Sequence, residues 1–174
     1  DIEYIPNTNF EGEDSFSYVS LYNNVSSSIA EVEIQIGVPA YPDDCIGAEI
    51  VENGTFEFST VDATNSINEY NDDLCPGTYL GEMSQDVWFK YVSCLDGNLT
   101  ISTCNTIDFD SDIVVYKGTD CNSLEQIGCN GDGNQCAGYS SEVDINVDAN
   151  TTYYIRVGGW SSSSSGSGLL EIDG

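Results

Sequence analysis

The residues most suited to chemistry in this chain are short, acidic and set at even spacing. Asp108, Asp110 and Asp112 recur at every second position, so that alternate side chains can converge, and Asn130-Gly131-Asp132-Gly133-Asn134 forms a second glycine-bearing acidic turn. Oxygen-only donors of this kind suit a hard cation that takes six to eight ligands at about 2.3 to 2.6 Å, which is calcium rather than the stricter, octahedral magnesium. A structural Ca2+ is therefore expected on Asp108, Asp110, Asp112, Asn130 and Asp132, with backbone carbonyls completing the shell. The plainer reading of the same residues is two solvated acidic turns.

Catalysis finds little support. The chain has no histidine, so Ser-His-Asp and Cys-His arrangements and histidine-bearing zinc sites are impossible within it. A carboxylate pair could serve a glycosidase, but among 30 acidic residues chance pairs are inevitable and carry no information. The chain is accordingly read as no enzyme. Trp160 follows Gly158-Gly159 beside the serine run 161–165, where it could offer a platform to sugar rings. The ordinary role of a tryptophan in such a place is to cap the end of a core.

Charge and cysteine content bound the rest. Thirty acidic groups face three basic ones, Lys90, Lys117 and Arg156, for a formal net charge of −27. Nucleic acid is excluded as a partner, because a phosphate backbone needs Lys and Arg to displace its counterions. Such self-repulsion calls for bound cations or a saline medium. Seven cysteines with no histidine suit an oxidising compartment, so an extracellular, secreted or cell-surface protein is expected. No run approaches the roughly 20 apolar residues of a membrane span, and no leader pattern precedes Asp1, so membrane insertion is not expected.

The elements that must position these residues are strands. Ala30, Val32, Ile34 and Ile36 alternate with Glu31, Glu33 and Gln35, and 14–22 is a second strand, with a polar turn between them. Prolines at 39 and 42 then break the pattern, giving an expected boundary between residues 1–38 and 39–174. Beyond it, short strands are expected at about 55–59, 86–92, 99–103, 112–117, 124–129, 142–147, 152–158 and 169–172, separated by turn signals as in a β-sandwich. The stretch 86–92 is apolar on both faces and reads as a central strand covered on both sides. Reading strands as successive hairpins pairs Cys94 with Cys121 and Cys129 with Cys136, adds Cys45 with Cys75, and leaves Cys104 as the odd thiol, with exchange into the Cys129 pair as the nearest alternative.

Two segments resemble known families. The run 4–18, with Tyr4, Pro6, Asn7, Asn9, Phe10, Gly12, Asp14, Ser15, Phe16 and Tyr18, is similar to the closing part of the cadherin-like, immunoglobulin-type repeats of bacterial surface adhesins. That likeness implies that residues 1–38 supply only the last strands of an incomplete immunoglobulin-like domain. Completion by neighbouring domains of the same polypeptide or by self-association would then bury Phe16, Val32, Ile34 and Ile36. From Asp43 on, Asp43-Asp44-Cys45, Asp86-Val87-Trp88-Phe89, Thr100-Ile101-Ser102-Thr103-Cys104, Val115-Tyr116-Lys117-Gly118, Cys129-Asn130-Gly131-Asp132 and Tyr153-Tyr154-Ile155-Arg156-Val157-Gly158-Gly159 resemble the pre-peptidase C-terminal class, a CUB-like jelly-roll sandwich. This resemblance implies an all-β accessory module for secretion, adhesion or polymer binding, and a second candidate calcium set in Asp43, Asp44 and Asp86. Residues 65–82 depart from it as an extra loop. The function expected is a non-catalytic, calcium- and disulfide-stabilised module of a bacterial surface adhesin or extracellular fibre. The competing expectation is a carbohydrate- or protein-binding accessory domain of a secreted hydrolase, with polysaccharide as a possible partner.

Overall fold

The computed structural model describes residues 12–22, 25–36 and 42–174, and the chain divides into two compact units, Asp1–Pro39 and Ala40–Gly174. In the first unit, β1 (Gly12–Tyr18) pairs antiparallel with β4 (Ala30–Ile36), and the small hairpin of β2 (Leu21–Tyr22) and β3 (Val25–Ser26) stands between them in sequence. Phe16 faces Val32 across the ladder and both are half-buried, while Ser15 and Ser17 are exposed, as period-two alternation requires. The side chains of Ile34 and Ile36 lie outside the described residues.

The second unit is a two-sheet β-sandwich, the all-β architecture expected. Its strands are β5 (Glu49–Val51), β6 (Gly54–Ser59), β7 (Ser84–Ser93), β8 (Gly97–Ser102), β9 (Ser111–Lys117), β10 (Glu125–Asn130), β11 (Glu142–Val147), β12 (Thr151–Gly159) and β13 (Ser167–Asp173). One sheet has the order β10-β9-β12-β7-β5 and the other β11-β8-β13-β6. Every ladder is antiparallel except that of β5 on β7. Between the sheets lie Val87, Phe89, Tyr91, Leu99, Ile101, Ile113, Val115, Ile145, Ile155 and Leu170. Each such side chain contributes on the order of 1.5–3 kcal/mol by leaving water. Strand β11 buries Val143, Ile145 and Val147 and exposes Glu142, Asp144 and Asn146, as its alternation dictates. Strand β5 was not among the expected elements: three residues with Ile50 78% exposed are too short to show a pattern.

Strand β7 is covered on both faces, for a reason specific to this chain. The long segment 60–83 crosses the outer face of the five-stranded sheet and builds a second apolar cluster from Met83, Trp88, Val114, Tyr116 and Tyr154, with Tyr70 and Leu80 against it. Trp88 stacks on Tyr116 at 5.5 Å, and the Arg156 guanidinium lies 5.6 Å from the ring centres of both Trp88 and Tyr70. Arg156 Nη1 donates to Asn68 O at 2.9 Å and Nη2 to Ser66 O at 3.2 Å, so this buried side chain ties the loop to the sheet. The extra loop is therefore the lid of a second core.

That loop also overturns the expected disulfide scheme. The bonds are Cys45–Cys121, Cys75–Cys129 and Cys104–Cys136, and Cys94 is free and exposed. None of the three expected pairs forms, and the odd thiol is Cys94 rather than Cys104. Hairpin adjacency failed as a guide because the covering segment brings Cys75 onto β10, and the chain entering the unit brings Cys45 onto the β9–β10 connection. The Cys129–Cys136 loop is closed instead by partners outside it.

Candidate functional site

One end of the sandwich gathers four segments. The Gly131 and Asp132 N–H groups both donate to Thr78 O, at 3.1 and 2.6 Å, and Ser141 Oγ donates to Gly131 O at 2.8 Å and to Ser111 O. Trp160 N–H donates to Asp110 O at 3.1 Å, and Glu82 N–H to Trp160 O at 2.8 Å. A Cβ on Gly81 would collide with the carbonyl and indole of Trp160, so only glycine lets segment 80–83 cross there. These contacts bring the start of β9, the turn after β10, segment 78–83 and Trp160 into one surface.

Of the five residues expected to share a cation, three lie near enough at this end to act on one another electrostatically. Asp112 is fully buried; its Oδ2 accepts the Gly81 N–H at 2.8 Å, while its Oδ1 has no hydrogen-bond partner among the described residues. Burial pushes its carboxyl up to about 7, against the Gly81 N–H that lowers it; the charge of Asp110 adds to the rise, the Met83 N–H opposes it, and Asp132 adds further. Asp110 is half-buried, its Oδ1 is likewise without a partner, and burial and then Asp132 raise its carboxyl. Asp108 and Asn130 do not join them. Asp108 Oδ1 accepts the Ser167 N–H at 2.8 Å on the far side of the 108–112 run, and Asn130 Oδ1 accepts the Glu142 N–H at 3.4 Å.

In the second candidate set, Asp86 and Asp43 have their acceptors occupied. Asp86, fully buried, takes Arg156 Nη2 and the Ser66 N–H on Oδ1, at 2.9 and 2.8 Å, and Trp88 Nε1 on Oδ2 at 2.9 Å. Asp43 accepts from the Thr64 N–H and hydroxyl, and Asp44 is exposed. Among the described residues, the one trio of metal-ligating side chains with donor atoms within 4.8 Å of one another is Cys104, Cys136 and Glu142, and those two sulfurs are joined in a disulfide.

Three aromatic rings stand exposed: Tyr79 (72%) on segment 78–83, Trp160 (48%), whose carbonyl accepts from Glu82 N–H, and Tyr139 (65%) further along the connection from β10 to β11. Tyr79 and Tyr139 have φ of 57° and 60°, a left-handed backbone that bulky residues adopt at a cost. Of the three, the sequence singled out Trp160 alone, as a core cap or a sugar platform. The available signal was an aromatic residue close behind a turn glycine, as in Gly77-Thr78-Tyr79 and Gly138-Tyr139. Among the described residues, no helix is long and apolar enough to cross a membrane.

No curated protein matches the chain in sequence. Among solved structures, the pre-peptidase C-terminal domain of a collagenase from Bacillus anthracis is similar at 17% identity, over 72% of this chain and 94% of that one, with a TM-score of 0.44. A family model for galactose binding domain-like sequences associated with T9SS matches residues 41–171. That match takes in all but the last residues of β13, together with the 60–83 lid, and the protein belongs to this galactose binding domain-like family.

Proposed function

We propose that the chain is a non-catalytic, adhesive module of a secreted bacterial surface protein, and that its loop end binds a neutral carbohydrate through Trp160, Tyr79 and Tyr139. The observation that carries this reading is the exposure of three aromatic rings on interlocked loops, two of them held in left-handed backbone. An exposed ring offers an apolar face to the C–H face of a sugar. The acidic groups beside it accept hydroxyl hydrogens and repel anionic polymers, which narrows the ligand to uncharged saccharides. The family's galactose binding description and its T9SS association favour the same reading. Three disulfides fit the extracellular setting.

The test is titration calorimetry against neutral oligosaccharides, galactose-bearing ones first, with the wild type, Trp160→Ala and Tyr139→Ala. Binding that falls at least tenfold in Trp160→Ala, with an unchanged melting temperature, supports the reading. Binding untouched by both substitutions, or no binding to any neutral glycan, refutes it. A second reading, assembly into a fibre through the first unit, is favoured by one observation: among the described residues β1 and β4 pair only with each other, which leaves each with an open edge. Light scattering of the whole chain across concentration separates a monomer from a growing assembly.

A further inference from the structure

We propose that Asp110, Asp112 and Asp132 bind a divalent cation, calcium by the chemistry of the donors, which ties together the start of β9, the turn after β10 and segment 80–83. Asp86 and Asp112 are both fully shielded from water. Asp86 has a guanidinium, a main-chain N–H and an indole N–H on its two oxygens. Asp112 has only the main-chain N–H groups of Gly81 and Met83 near it, no cation, and its Oδ1 makes no hydrogen bond among the described residues. Buried charge without a partner is expensive, and native structures answer it with a counter-charge or a metal.

No counter-charge within the chain is available. It has three basic side chains. Arg156 is engaged by Asp86 at 2.9 Å, Lys117 by Asp148 at 2.6 Å, and Lys90 lies over the Tyr154 ring at 5.9 Å. Where Asp112 is ionised, the neutralising charge must then come from outside the chain. Two further carboxylates, Asp110 and Asp132, act on Asp112 electrostatically, and Asp110 Oδ1 is also buried without a partner. Three carboxylates and two unfilled, inward oxygens form an oxygen-only donor set, and nitrogen and thiolate ligands are absent from it. A hard cation with flexible geometry fits such a set better than zinc, or than magnesium with its tighter shell.

The side-chain oxygens of the three do not lie within 4.8 Å of one another. Ligation therefore requires the side chain of Asp132, half-buried on a glycine-flanked turn whose N–H donates to Thr78 O, to turn toward Asp112. Main-chain carbonyls and water fill the remaining positions. The proposal is independent of the carbohydrate reading, because its test needs no sugar.

The experiment is thermal melting of the whole chain in calcium and in chelator at equal ionic strength, with terbium luminescence excited through tryptophan as a second readout. The expected result is a melting temperature higher by at least about 5 °C in calcium, together with terbium emission sensitised by the adjacent Trp160 and quenched by added calcium. Both signals are lost in Asp132→Ala, which sits on a surface turn and should fold, and are kept in Asp108→Ala and Asp43→Ala. Equal melting temperatures with no terbium signal in the wild type overturn the proposal. So does a calcium effect that survives in Asp132→Ala and Asp110→Asn but disappears in Asp43→Ala, since that would place the ion elsewhere.

Discussion

Replacing Asp112 with asparagine should raise the stability of the chain in chelator at about pH 8 and lower it in calcium. Asparagine keeps an oxygen to accept the Gly81 N–H at 2.8 Å and removes the charge that burial opposes. The groups facing Asp112 are Asp110 beside it on the chain, Asp132 from the turn after β10, and Tyr70 from the 60–83 lid, and none of them is a cation. The magnitude follows from linkage. A carboxyl ordinarily near 3.8 that is held at about 7 in the folded chain binds its proton more tightly than in the unfolded one. Its contribution is therefore fully present below 3.8, falls as pH rises, and is gone above about 7. At about 1.4 kcal/mol per pKa unit the whole loss is on the order of 4 kcal/mol, an upper figure because loop adjustment would relieve part of it. Urea unfolding of wild type and Asp112→Asn from about pH 4 to 8 in chelator isolates this group from the other carboxylates. The difference between the two proteins should grow in favour of asparagine across that window and level off above it. A difference that stays flat with pH would show that Asp112 does not titrate there, and the reasoning from its burial would fail.

Three other outcomes are expected. Arg156→Met leaves Asp86 as an unpaired buried charge and should cost about 3–5 kcal/mol in urea unfolding; a loss under about 1 kcal/mol would contradict the pairing seen at 2.9 Å. Alkylation of the native, unreduced protein should label Cys94 alone in peptide maps, and labelling of Cys104 or Cys45 would refute the disulfide scheme. Gly81→Ala drives a methyl into the Trp160 carbonyl and should cost about 1–3 kcal/mol while shifting tryptophan emission; unchanged emission and stability would show that segment 80–83 does not press on Trp160.

The sandwich was legible because its signals are local. Strand β7 reads as apolar on both faces, and β11 reads as strictly one-sided, because a strand repeats every two residues and each environment imprints itself directly. The placing of Asp112 and Asp132 at one end of the sheet was legible for the same reason. Strands β9 and β10 are adjacent antiparallel neighbours with Ile113 opposite Asn130, so the residues just beyond that pair must lie at one end of the sheet. The period misled at Asp108, where Phe109 turns into the core and Ile107 bridges to Gly168, so that Asp108 is carried over to β13. What the sequence hid is whatever depends on the path of 60–83. That segment lacks a period of its own, yet it selects the partner of Cys75, buries the outer face of Trp88, and delivers Tyr79 and Gly81 to the loop end.

Composition alone had already stated the electrostatic problem, since −27 on 174 residues demands counterions somewhere. It could not say where, because an exposed carboxylate is screened by water and salt and places little demand on any one ion. Folding converts that diffuse demand into a located one by excluding water from a few carboxylates. Asp86 meets the chain's one buried guanidinium, and the same contacts that draw the 60–83 lid onto Arg156 also carry Gly81 and Met83 over Asp112. The lid thus resolves one buried charge and creates another. With Arg156 already engaged, the second can be answered only by a proton or by an ion from the medium. These two answers respond oppositely to pH: a proton on Asp112 is lost as pH rises, whereas a cation binds better as it leaves. Stability measured at about pH 8 with and without calcium therefore distinguishes them directly.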